Sequence, residues 1–250
     1  MVYCRIIILT SILCTAVLGG ASQERSFEIP DYRGETLHYE LKYGIIRIGS
    51  ASISFQEDLS ACGFRIVVEA QSDGLMRIFR NLHYLLVSCM DPATGLPNST
   101  TINFKDRKNI SFNELVFDHY SRRDSTIVFS HMSGMHIVPN NMHDILTAFY
   151  HFRRNHINDH TDEGTEVVIT TFHPDKLWDQ RITYGGEESI KTTDGQLECQ
   201  RYIPSTVVGK YFRNPDDMSV WYTKDESHIP VKIRLNLKIG AIHGELVDLL

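Results

Sequence analysis

The stretch Val231-Lys232-Ile233-Arg234-Leu235-Asn236-Leu237-Lys238-Ile239 decides the fold class. Its apolar residues fall at every second position, the period of a β-strand with one buried and one wet face. Gly240 then turns the chain into Ala241–Leu249, where Ile242 and Leu246 resume the alternation, so the C-terminus reads as an antiparallel hairpin. The same period recurs at the other end in Leu37, Tyr39, Leu41 and Tyr43. Ile46–Glu57 follows at once, with Gly49, Ser50, Ala51 and Ser52 near its centre.

Between these ends lie further strand candidates at Cys62–Ser72, Tyr84–Met90, Ser99–Lys105, Asn109–Phe117, Ser125–His131, Thr165–Phe172, Leu177–Tyr184, Leu197–Val207 and Met218–Thr223. Turn chemistry separates many of them: Asp91–Pro97 carries two prolines and a glycine, Asp194-Gly195 reads as a tight turn, and Asn214–Asp217 as a loop. This spacing predicts a mainly β fold, an antiparallel curved sheet or open β-barrel or clasp of about 10–12 strands. One segment breaks the period. Met142, Ile145, Leu146, Phe149, Phe152 and Arg153 fall at helical spacing behind Asn140 or Asn141 as N-cap, which predicts one main helix over 142–155. A second helical turn is suggested near Gly74–Asn81.

The chain has 250 residues, a formal charge of −6, 42% hydrophobic and 22% charged residues, which excludes disordered, collagen-like and disulfide-dense classes. The mixed charge gives no basic stripe, so no nucleic-acid partner is expected. Met1–Arg5, the apolar run Ile6–Leu18 and Gly19-Gly20-Ala21 follow the order of a secretory signal peptide, with cleavage expected after Ala21. Leu13 ahead of Cys14 argues against a lipoprotein signal. The expected product is one β-rich domain over 22–250, periplasmic or secreted, with no transmembrane segment. It keeps Cys62, Cys89 and Cys199, enough for one internal bridge at most. Each lies in an apolar run that predicts a small buried core residue.

Chemistry-bearing patterns are sparse. There is no G-x-S-x-G, no H-E-x-x-H and no C-x-x-C. His156 and His160 would share a helix face, but Asn155, Asn158, Asp159 and Asp162 favour turns and predict a polar loop instead. Asp216-Asp217 and Glu187-Glu188 sit in turn-like stretches. The reading is therefore a non-enzyme, with no cofactor and no metal.

The order of short motifs resembles one family. Gly34–Tyr39 leads into a strand, a short turn leads to Gly49-Ser50-Ala51, and Asp91–Pro97 follows. Next come Asp144–Tyr150 with Arg153, Thr193-Asp194-Gly195 before Cys199, then Trp221–Asp225 with Ile229-Pro230-Val231. Taken in sequence with the leader, these resemble the DUF3108 family of exported bacterial proteins, from about Gly34 to Leu250. The resemblance implies export in Gram-negative bacteria and a β-rich fold similar to the open, helix-plugged barrels of lipoprotein carriers. It carries no catalytic residues over.

The expected function is a non-enzymatic periplasmic binding or carrier protein for an apolar or amphipathic envelope ligand, lipid or glycan-like. The alternative is a cell-envelope structural or assembly factor that recruits a protein partner through a surface. An interior lined by Leu37, Tyr39, Leu41, Ile233, Leu235 and Leu237, with Phe149 and Phe152 from the helix, would hold the ligand. The candidate ligand-binding residues are Tyr39, Phe149, Tyr150, Arg153 and Trp221. Asp144 and Arg153 suit the two ends of the helix dipole, while Tyr150 and Arg153 together suit an anionic group. Trp221 and Tyr222 point to opposite faces of a strand, which predicts one in the core and one at the surface.

Overall fold

The structure, a computed structural model, describes residues 32–249 apart from 59–61, 80, 108, 159–160 and 193–194. The expected signal peptide over 1–21, with Cys14, and the loop residues Asp159 and His160 lie outside the described residues. Strands β1 (Thr36–Tyr43), β2 (Ile46–Asp58) and β3 (Gly63–Ser72) precede a short helix α1 (Gly74–Phe79). Then come β4 (Leu82–Met90), β5 (Pro97–Asp106), β6 (Asn109–Asp118), β7 (Ser125–Ser130) and β8 (Gly134–Pro139). Helix α2 (Ile145–Asn155) separates these from β9 (Glu166–Phe172), β10 (Leu177–Thr192), β11 (Gly195–Pro204), β12 (Met218–Thr223), β13 (Pro230–Asn236) and β14 (Ala241–Leu249).

All fourteen strands form one antiparallel sheet in the order β8-β7-β6-β5-β4-β3-β2-β1-β14-β13-β12-β11-β10-β9. The chain is thus a meander whose two terminal strands, β1 and β14, pair in the middle, and whose break falls at α2. The edge strands β8 and β9 are not neighbours in the ladder, so the sheet is not closed into a barrel. Two contacts fasten the gap. His143 forms an isolated parallel bridge with Thr171, and the Phe172 amide donates to the His143 carbonyl at 2.9 Å. The Asp175 carboxylate, in the β9–β10 turn, accepts from Asn113, Ser130 and Ser133.

Helix α2 fills the curl. Leu146 and Tyr150 pack with Phe55, Phe64, Ile66 and Leu86 of one wing, while Ala148 and Phe152 pack with Ile169, Ile182, Tyr202 and Tyr222 of the other. Phe149 lies against both. A third cluster of Leu115, Phe117, Val128, Met142 and Phe172 joins β6–β8 to the end of β9. The helix begins at Asp144 rather than at Asn140 or Asn141, because the Asp144 side chain accepts from the Thr147 amide at 2.7 Å and Thr147 Oγ1 receives the Asp144 amide in return. Asn141 takes a left-handed φ of 55° ahead of it.

Other expectations need correcting. The strand read through Ile239 ends at Asn236, because the Leu237 amide turns back to the Gly240 carbonyl, and Ile239 is 80% exposed. Strand β10 runs on past Tyr184 through Glu187 and Glu188. A bulge there is accommodated by Gly186 at φ +85°, so the Gly-Gly pair kinks the strand instead of ending it. Cys62 and Cys89 are joined in a disulfide across 27 residues, and Cys199 is a buried free thiol. Such a loop closure contributes about 3–4 kcal/mol in the chain-entropy picture. Trp221 and Tyr222 are both buried: Tyr222 faces α2, and Trp221 packs with Ile190 and Cys199 on the sheet's other face.

Candidate functional site

Four of the five residues singled out in the sequence meet in the interior. Arg153 is fully buried and forms a two-pronged pair with Glu35, Nη1 to Oε1 at 2.7 Å and Nη2 to Oε2 at 2.9 Å. Its Nε and Nη2 also donate to the carbonyls of His228 and Ser227. The guanidinium lies 4.3 Å from the Tyr32 ring centroid, and Phe149 and Tyr150 flank it. Tyr150 donates its hydroxyl to Glu35 at 3.2 Å, and Tyr39 donates to the Pro230 carbonyl at 2.6 Å. Burial opposes the Arg153 charge, yet the Glu35 hydrogen bonds and charge outweigh it and hold the guanidinium pKa above its ordinary value. Burial, reinforced by Glu35, raises Tyr150 well above the usual phenol range, and burial raises Tyr39.

Arg153 therefore grips an anionic group as its chemistry predicts, but the group is Glu35 of the same chain. Every guanidinium nitrogen is engaged, and Leu37, Tyr39 and Phe152, expected to line a ligand cavity, are themselves buried. Trp221 is not part of this assembly. Its indole donates to Glu188 Oε2 at 2.9 Å on the opposite face of β12.

A cavity of about 480 Å³ opens instead on the outer face of the sheet, over β1–β3. Register explains it. Two cross-strand rows, His38–Ser52–Glu69 and Glu40–Ser50–Gln71, place short serines on β2 between longer side chains on β1 and β3. The serines form a floor, and the walls stand two strand spacings apart, about 10 Å. Bulges bracket the depression. The shift between Leu41 and Lys42 in the β1–β2 pair leaves Ile48 unopposed next to Arg47, and the shift between His38 and Tyr39 leaves Val247 of β14 on the rim. Gly49 is required beside them, since a Cβ there would meet the Gln71 carbonyl at 2.3 Å.

Ion pairs fix part of the lining. Arg47 bonds Glu40 and Asp73, and Lys42 spans Glu40 and Glu245. The hydrogen bond to Glu245 raises Lys42, and Lys42 in turn lowers Glu245. Glu69 takes a hydrogen bond from His83 at 2.7 Å, its one partner among the described residues. The side chains of His38, Ser50, Ser52 and Gln71 have none among the described residues. The small residues at 49–52 stand out in the sequence, but the groove does not, because its walls read as ordinary outward-facing polar positions.

Two other constellations carry less. Ser133 Oγ lies 2.7 Å from His136 Nε2 and donates to Asp175, so the carboxylate holds the serine rather than orienting the imidazole, which is not the order a hydrolytic triad needs. His143, His151 and His156 pack in a row with tilted rings, 4.9 and 5.4 Å between centroids. Among the described residues no group of three or more His, Cys, Asp or Glu is placed to hold a metal ion. No helix among them is long and apolar enough to cross a membrane.

The fold and groove define an open antiparallel meander wrapped on one helix, with a polar depression near its central strands. The chain belongs to the DUF3108 family, described as a protein of unknown function, whose model matches residues 38–247. A comparison with curated proteins finds no match. Among solved structures the chain is similar to the crystal structure of a β-barrel-like protein of the domain of unknown function DUF1849 from Brucella abortus. That chain is 12% identical, the TM-score is 0.56, and the alignment covers 87% of this chain and 98% of the other.

Proposed function

We propose that the protein is an exported, non-enzymatic binding protein that holds a polar, glycan-like envelope ligand in the groove over β2. The carrying observation is the groove itself: a depression of about 480 Å³ bracketed by two bulges, whose floor and walls offer polar side chains without partners in the described chain. That volume falls within the range of small-molecule sites. The Cys62–Cys89 disulfide suits an oxidising compartment and so supports export together with the leader. A lipid in the interior is disfavoured, because Leu37, Tyr39 and Phe152 are buried against packed neighbours.

The test is native mass spectrometry of protein purified gently from the exported fraction, alongside Ser52→Tyr, which fills the floor. A glycan-mass adduct on the wild type that Ser52→Tyr loses is the expected result. An adduct retained in Ser52→Tyr would move the site elsewhere.

A second reading rests on the outer face of β6–β8. Val116, Phe129 and Met135 are cross-strand neighbours there, with Ile137 in the next row, and all four are exposed. A contiguous apolar face suits recruitment of an envelope protein. Loss of a specific pull-down partner in Phe129→Glu, with the groove variant unaffected, would favour it.

A further inference from the structure

The groove reading leaves the chemistry of the occupant to be named, and the charges around it point one way. Arg47 is the lining's cation, and its three guanidinium nitrogens are committed: Nε and Nη2 to Asp73 at 3.0 and 2.9 Å, Nη1 to Glu40 at 3.2 Å. Lys42, just beyond, lies 3.1 Å from Glu40 and 2.9 Å from Glu245. Arg47 and Lys42 thus stand among the carboxylates Glu40, Glu69, Asp73 and Glu245, with Lys232 farther out, opposite Glu245 and over the Trp221 ring. An anionic ligand would face acceptors and find no uncommitted cation in the described lining. Glu69 is the reverse case. Its side chain is 47% exposed, His83 engages Oε1 only, and Oε2 faces no donor among the described residues.

The rest of the lining is suited to hydroxyls. Ser50, Ser52, Gln71 and His38 supply both donors and acceptors, and none is spent within the described chain. Walls about 10 Å apart admit one sugar ring with a hydrogen bond to each side. Resting on the reading of the groove as a glycan site, we infer that its ligand is an amine-bearing sugar chain. Its protonated amine sits on Glu69, and its ring hydroxyls lie against Ser52, Gln71 and His38. This is opposite in sign to the anion that Arg153 suggested in the sequence.

Titration calorimetry on the purified full-length protein at pH 7 and low salt, with three probes, tests this. The probes are the β-1,4-linked glucosamine tetramer, its fully N-acetylated counterpart, and spermidine. A charge-assisted hydrogen bond that the acetylated chain cannot make predicts about tenfold tighter binding of the amine tetramer. Glu69→Gln should reduce that preference to within about twofold. Equal or tighter binding of the acetylated tetramer overturns the amine inference and leaves the groove reading standing. Spermidine binding as tightly as the amine tetramer overturns the sugar component. If neither tetramer binds the wild type, the groove reading itself fails.

Discussion

Arg153 and Arg47 each hold a glutamate, and the contrast between them separates structure from function in this molecule. Arg153 is fully buried, and it ties α2 to Glu35, 118 residues away, and to the turn at Ser227 and His228. Arg47 is 55% exposed and ties Glu40 of the adjacent strand to Asp73 at the end of β3. In the interior, desolvation makes an unpaired donor costly, and the chain supplies a partner for every nitrogen of the Arg153 guanidinium. On the outer face water can satisfy what the chain leaves unpaired, and Glu69, Gln71 and the serines of β2 stay available. Side chains that look suited to gripping a ligand are used up when buried. The available ones look ordinary.

The largest expected effect lies in the interior. Arg153→Met leaves the Glu35 carboxylate buried without its cation, and removal of one partner of a buried pair costs about 3–5 kcal/mol. Glu35→Met with Arg153→Met should recover at least half of that loss, because neither charge then remains to be desolvated. Urea denaturation of the single and double variants checks this. If the double variant is less stable than Arg153→Met, Glu35 and Arg153 do not act as a unit, and the contrast with Arg47 collapses.

A smaller, graded effect is expected from acid. His143 packs beside His151 at the gap between β8 and β9, with His119 from the β6–β7 turn also acting on it. Burial first, then these two imidazoles, push its pKa down to about 3, against an ordinary value of about 6.5. The unfolded chain takes up that proton near pH 6.5 and the folded chain does not. Stability is therefore complete above about pH 6.5 and falls as the pH drops toward 3, by up to about 1.4 kcal/mol per pH unit for this group. His151, His156 and His173, also lowered chiefly by burial, add to the slope in the same direction. Melting curves between pH 7.5 and 4.5 should flatten in His143→Gln. An unchanged slope would place the acid sensitivity elsewhere.

The helix, the terminal strands and the family were legible because each carries a local signal: a period of two, a period near four, or an ordered run of short motifs. What was lost depended on contacts across the sequence or on exceptions to the solvent rule. Strand β8 escaped because its outward residues Met135 and Ile137 are apolar and exposed, so Gly134–Pro139 shows no polar alternation. Asp144 reads as a first-turn carboxylate, and its reciprocal bonds with Thr147 are local, three residues apart, but the bond from Thr100 depends on β5 lying alongside. Tyr150 and Arg153 read from the sequence as a pair suited to an anionic ligand, and the structure sets Glu35 of the same chain against both. That the anion is Glu35 could not be read, since nothing local ties the two. The groove was hidden most thoroughly: its walls come from different strands, and the bulges that shape it leave no mark in the spacing.

The smallest expected effect tests the other half of the comparison. Glu69→Gln and Gln71→Ala alter exposed positions whose side chains support nothing buried, so each should change stability by less than about 0.5 kcal/mol. Lys42→Met should cost no more than about 1 kcal/mol, because its pairs with Glu40 and Glu245 lie at the surface. Thermal melts at pH 7 in low and moderate salt check both statements. A loss of several kcal/mol in Glu69→Gln would mean that the outer ionic lining holds the sheet as the Glu35–Arg153 pair holds the helix. The groove residues would then be structural, and their lack of partners would no longer argue for a ligand. Near-silence in the melts, together with a changed preference among the sugar probes, is the combination that a binding surface alone produces.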